Sequence, residues 1–132
     1  MRTKLCLVAL CAALSLGNIS RVRAEESAPP EMMTYYFVLL TRGPKWTPAK
    51  TPEVQKIQEG HMANMKKMHE AGKLILAGPF TDNGKWSGLF VLKVASTDEA
   101  KALVDTDPAV KAGRLTYEIH PWMTQKGYIK DN

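Results

Sequence analysis

Cysteine is scarce in this chain of 132 residues, and both copies, Cys6 and Cys11, lie near its start. Beyond them no thiol nucleophile, thiolate metal site or disulfide can form, so the fold must hold by its core alone. Long apolar runs are missing as well. The longest, Leu5 to Leu16, is about a dozen residues, short of the ~20 that a membrane-spanning helix needs. Nor is there an excess of one charge. The net +5 comes from 18 basic and 13 acidic residues, but Arg2, Lys4, Arg21 and Arg23 precede residue 25, leaving 14 − 13 = +1 for the rest. That balance argues against a nucleic-acid partner. No phosphate loop, dinucleotide glycine fingerprint or serine elbow is present. His69-Glu70 begins like a zinc-protease helix, but Lys73 stands where the second histidine belongs. No metal or other cofactor is expected.

What is present starts with an export signal. Arg2 and Lys4 lead into the short apolar run, Gly17 and Asn18 break it, and Val22-Arg23-Ala24 has the small-x-Ala ending that signal peptidases accept. A lipid on Cys11 is the competing reading, disfavoured by the bulky Leu10 before it. The expectation is a signal over residues 1–24 and a soluble mature protein, periplasmic or secreted, with no stable membrane anchor. The remaining 132 − 24 = 108 residues suit one domain. Residues 25–32, with Pro29 and Pro30, read as a flexible leader, 33–123 as the domain, and 124–132 as a polar tail that frays.

Within the domain the hydrophobic period changes repeatedly. Thr34 to Leu40 is aromatic and β-branched, hence a strand. Gly43, Pro44, Trp46 and Pro48 mark a loop. Thr51, Pro52 and Glu53 make a helix start, and Val54, Ile57, His61, Met65 and Met68 fall on one stripe of a helix closed by Gly72. Leu74 to Ala77 is a short strand ended by Gly78-Pro79. Asp82-Asn83-Gly84 turns into a strand from Trp86 to Val94. Ser96 and Glu99 have capping-box spacing before Ala100, Leu103 and Val104. A helical turn from Ala109 to Ala112 and a last strand from Leu115 to Trp122 follow. The order β, α, β, β, α, β predicts an α+β, ferredoxin-like sandwich. Its first and third strands are apolar on both faces, and two helices can cover only one. A homodimer packed sheet to sheet is the economical solution.

Candidate chemistry rests on three histidines, His61, His69 and His120. His61 interrupts the apolar stripe, so its ring should face the sheet. His69 belongs to a solvated flank beside Lys66, Lys67 and Glu70, and His120 is a plain sheet-face residue. Taken alone, a histidine on an apolar face is more often a core residue with locally satisfied nitrogens than a catalyst. Asp107 has a similar second reading, because before Pro108 it is a natural helix cap. The roles are compatible, since a capping carboxylate can also orient an imidazole. The methionines Met62, Met65 and Met68 could suggest copper, but soft filling of the core explains them better.

Two segments resemble a known family. His61 to Phe80 carries a helix-borne histidine, Ala71-Gly72 and Leu76-Ala77-Gly78-Pro79. Ser96 to Trp122 carries Asp107-Pro108-Ala109-Val110-Lys111-Ala112-Gly113 and Tyr117-Glu118-Ile119-His120-Pro121-Trp122. Together they are similar to the YCII-related family. The resemblance implies a dimeric α+β barrel and an active-site pair of His61 and Asp107. It implies little about reaction: one characterised type is a dehydrochlorinase of a chlorinated hydroxyhydroquinone, and most members have no assigned activity. The signal and the Trp46 loop depart from the family pattern. The leading expectation is a small cofactor-free enzyme, lyase-like or isomerase-like, acting on an apolar or aromatic small molecule. His61 would move the proton, Asp107 would orient it, and Gly78, Pro79 and Trp46 would bind substrate, with amides near Gly78-Pro79 and a lid formed by the Trp46 loop. The alternative is a noncatalytic exported dimer that binds a small molecule in the same cleft.

Overall fold

The structure, a computed structural model, describes residues 28–130. The expected signal and the start of the leader lie outside the described residues. The chain forms β1 (Met32–Arg42), α1 (Pro52–Glu70), β2 (Leu74–Pro79), β3 (Trp86–Leu92), α2 (Thr97–Val104), α3 (Pro108–Lys111) and β4 (Leu115–Gln125). The strands lie in the order β2-β3-β1-β4, and every neighbouring pair is antiparallel. This is the ferredoxin-like α+β arrangement.

Local chemistry accounts for the helix ends. Thr51 Oγ1 accepts the Val54 amide at 3.2 Å and Pro52 opens α1. At the other end Gly72 takes φ of 69°, which lets the Gly72 and Lys73 amides return to the carbonyls of His69 and Met68. Ser96 Oγ accepts the Glu99 amide at 3.1 Å, but the return bond of the capping box is displaced by one residue: Glu99 Oε2 accepts from the Ala95 amide at 2.9 Å. The other carboxylate oxygen takes the Lys73 ammonium at 2.8 Å, tying α2 to the turn after α1.

One face of the sheet supplies the core. Tyr36, Val38, Leu40, Phe90 and Leu92 pack with Met68, Leu74, Ala100 and Val104, all buried. On the opposite face Tyr35 and Val91 are buried, Phe37, Leu39 and Leu89 are half-buried, and Leu76 and Trp122 are exposed. Trp122 meets Phe37 edge-on, with centroids 4.9 Å apart.

The polar tail begins later than its composition suggests. Met32 pairs with Gln125 and Met33 with Thr124, Thr124 is buried, and the Lys126 amide donates to the Glu31 carbonyl at 2.8 Å. Backbone pairing to β1 extends the strand where side-chain pattern gives no signal. Among the described residues, no helix is long and apolar enough to cross a membrane.

The Lys73 ammonium and then the Ala95 amide hold the Glu99 carboxyl below its ordinary range, against a smaller opposing effect of burial. A depressed carboxylate stabilises the fold above its ordinary titration, and that contribution is lost as pH falls through its lowered folded value. Glu99→Gln should therefore melt below the parent at neutral pH, with the two Tm values converging on acidification. A gap unchanged through the acid range would count against this.

Candidate active site

The site is assembled where α1 meets α3. Asp107 caps α3, its Oδ1 accepting the Ala109 amide at 2.8 Å. Its Oδ2 lies 2.7 Å from His61 Nδ1. A carboxylate can only accept here, so Nδ1 carries the hydrogen and Nε2 is left for a bound molecule. Asp107 has no solvent exposure and His61 retains 9%. Phe90 lies nearly parallel to the imidazole, with centroids 6.0 Å apart, and helps to fix its plane. Both roles read for Asp107 are thus present in one side chain, with a different oxygen serving each.

Two further contacts bring the pair together. Gly60 faces Pro108 so closely that a Cβ on it would stand 3.0 and 3.2 Å from the proline ring carbons. Asn64 lies 3.2 Å from the Thr106 hydroxyl. That hydroxyl also lies 2.6 Å from the Leu103 carbonyl and has one hydrogen to give, while Asn64 Nδ2 is buried with no partner. Turning the amide over lets Nδ2 donate to Thr106 and leaves the hydroxyl hydrogen for the Leu103 carbonyl. Residues 60, 61 and 64 therefore meet 108, 107 and 106 in reverse order. Asp105 anchors the same turn to β4 by accepting from Tyr117 and Lys101. Lys101 first, then Tyr117, holds its carboxyl below the ordinary range, and burial followed by Asp105 raises the Tyr117 phenol.

A cavity of about 450 Å³ opens beside His61. Gln58, Met62 and Met65 of α1 form one wall. Leu40, Ala77, Pro79 and Phe90 of the sheet form another, and Gly78 and Gly88 also line the space. A Cβ on Gly88 would come 3.0 Å from the Gly78 carbonyl oxygen, so a side chain there would require the β2 backbone to give by a few tenths of an ångström. Apart from His61 the walls are mainly apolar, which suits a small apolar ligand.

Gly78 and Pro79 line this space, as expected, but not as amide donors. Pro79 has no N–H, and the Phe80 amide is bonded to the Ser87 carbonyl at 3.2 Å. Trp46 is not among the lining residues. Its ring lies under the Arg42 guanidinium at 4.2 Å, and its loop is fastened to the start of β4: the Gly43 amide donates to the Arg114 carbonyl and the Lys45 amide to the Gly113 carbonyl. A Cβ on Gly43 would fall 2.4 Å from the Gly113 oxygen. The loop is a clasp instead of the expected lid. His69 is exposed on its flank, as expected, and its Nδ1 lies 2.9 Å from the Leu74 carbonyl. His120 remains exposed, 3.5 Å from Glu118. Among the described residues, no three His, Cys, Asp or Glu side chains converge as a metal site requires.

Residues 34–123 match the YCII-related domain. The chain belongs to the YCII-related family. Among solved structures similar to this YCII-related chain is 5-chloro-2-hydroxyhydroquinone dehydrochlorinase from Burkholderia phenoliruptrix AC1100, in complex with 2,5-dihydroxybenzoquinone. The identity is 18% and the TM-score 0.50, over 68% of this chain and 93% of the other. That likeness shows the shared fold. No curated protein matches.

Sequence reasoning missed Gly60 and Asn64. A glycine in mid-helix is the available signal, because it costs about 0.8–1.0 kcal/mol relative to alanine and calls for a packing reason. Gly60→Ala should fail to yield that gain, since its methyl crowds Pro108, and should weaken the His61–Asp107 bond, read as loss of the downfield imidazole N–H proton in NMR spectra. Full stabilisation with an unchanged imidazole proton would refute the clamp.

Proposed function

We propose that this YCII-related protein is an exported, cofactor-free enzyme in which His61 transfers a proton on an apolar or aromatic small molecule, in a lyase or isomerase reaction. The supporting observation is the imidazole whose Nδ1 is held by a fully buried carboxylate while its ring lines an apolar cavity. Nε2 has the lone pair to remove a proton from a bound molecule, and Asp107 stabilises the imidazolium that results. The same ring can return the proton to another atom, or keep it while a leaving group departs. Such a base contributes about 10²–10⁴-fold, so binding and exclusion of water must supply the rest. The dihydroxybenzoquinone held by the dehydrochlorinase of similar fold is in keeping with a flat cyclic ligand.

The test is a thermal-shift screen of small aromatic and alicyclic molecules against the parent, His61→Ala and Asp107→Asn, followed by turnover assays on the hits. The parent should be stabilised by a hit and should convert it. Asp107→Asn should lower turnover while costing no more than a lost helix cap, about 0.5–2 kcal/mol. Binding that persists in all three proteins without conversion would support a carrier of the ligand instead.

We further infer export and a homodimer. Export rests on the basic start, short apolar run and Val22-Arg23-Ala24 of the sequence. The dimer rests on exposed Leu76 and Trp122 beside half-buried Phe37, Leu39 and Leu89, on the sheet face that the helices leave open. Each large apolar side chain left in water forgoes about 1.5–3 kcal/mol of burial. Protein from a secreting host should begin at Glu25 by intact mass and scatter light as two mature chains. A retained leader, a lipid on Cys11 or a stable monomer would each overturn the corresponding claim.

A further inference from the structure

The cavity beside His61 has a neighbour. A second hollow of about 430 Å³ runs along α1 toward its C-terminal end, between the helix and β2. Met62, Met65 and Ala77 line both spaces, so flexible methionine side chains form the boundary between them. Met62 is 53% exposed and free to shift. The chemistry of the two ends differs. The first compartment carries His61 on apolar walls, whereas the second is lined by Lys66 and His69 beside Leu74, Ile75 and Leu76, with no acid among its lining residues.

We propose that the two hollows are one elongated groove, and that its ligand is an aromatic or alicyclic molecule whose short aliphatic arm ends in a carboxylate or similar anion. This deepens the proposed function and rests on its placement of the reacting ring at His61. The ring occupies the first compartment, and the anionic end lies against Lys66 and His69. The His69 Nδ1–H donates to the Leu74 carbonyl and fixes the ring, so Nε2 meets a carboxylate only as the donor of an imidazolium, the form that a bound anion favours. Lys66 is held only loosely, its ammonium 3.8 Å from Glu70 with both side chains mostly in solvent. An incoming carboxylate therefore exchanges for Glu70 at Lys66. Lys66 is five positions after His61, about 7.5 Å further along the helix axis and about 140° round it, so its long side chain must reach back to the hollow it lines to meet an anion on a three-methylene arm. The carbonyl-rich end of α1 disfavours an anion, but the Gly72 and Lys73 amides already meet the carbonyls of His69 and Met68.

A matched pair of probes tests this: 4-phenylbutanoate and 4-phenylbutanol, titrated by calorimetry, with the His61 ring signals followed by NMR. Both should move the His61 signals, and the acid should bind about fivefold tighter than the alcohol, the scale of a solvent-exposed ion pair. Lys66→Gln and His69→Gln should each reduce that preference and leave the alcohol unchanged. Glu70→Gln should enlarge it by freeing Lys66, a response that a purely structural role would not produce. Equal binding of the two probes, with His61 perturbed by both, would overturn the second compartment and leave the proposed function standing. Acid binding that leaves the His61 signals unmoved would show two separate hollows and also overturn the proposal. Absence of any binding would count against both readings.

Discussion

A carboxylate with no access to water has to find its hydrogen bonds inside the protein, and Asp107 finds two, the Ala109 amide and the His61 ring. Much of the helical layer follows from that need. The first bond is the cap that starts α3, a helix of four residues too short to persist without tertiary support. The second draws α1 onto α3, which requires a surface on α1 flat enough to admit the Pro108 ring, and Gly60 supplies it. Loss of the imidazole would leave a buried charge with a single partner. Structural and chemical roles are therefore joined in one contact, and a cap holding the carboxylate still is what makes it a steady support for a base.

The sheet contributes the other half of the site by what it omits. β2 and β3 reach the cavity through Ala77, Gly78 and Gly88, so space opens where larger side chains would have filled it. Phe90 alone among the β3 residues lining the cavity reaches across to the imidazole, and it belongs to the same buried core as Leu92 and Val38. The wall behind the histidine is thus part of the tightly packed interior, whereas the walls formed by Met62 and Met65 are the adjustable ones.

The strand and helix order was legible because apolar period, caps and turn residues agreed with one another: Thr51 caps α1, Gly72 ends it in a left-handed conformation, and Asn83 takes φ of 57° in the hairpin. His61 and Asp107 were legible for the same reason, one by its place on an apolar stripe and the other by its place before Pro108. What escaped was set by partners distant in the chain. The length of β4 depends on its pairing with β1, and the fastening of the Trp46 loop depends on Gly113 and Arg114. Asn64 reads as one more polar residue on a helix until Thr106 is placed beside it. Periodicity describes which way a side chain points, but not what waits for it there.

The clasp at Gly43 also decides where this architecture can change. It pins the departure of the β1–α1 connection to the start of β4, while the Thr51 cap pins its arrival at α1. Between those points Pro48, Ala49 and Lys50 are all exposed. Residues inserted there would meet solvent, and the entropy of closing the longer loop rises slowly, by about 0.6 kcal/mol for each doubling of length. Relatives can therefore differ widely in this connection while the clasp, the helix start and the geometry around His61 stay as they are.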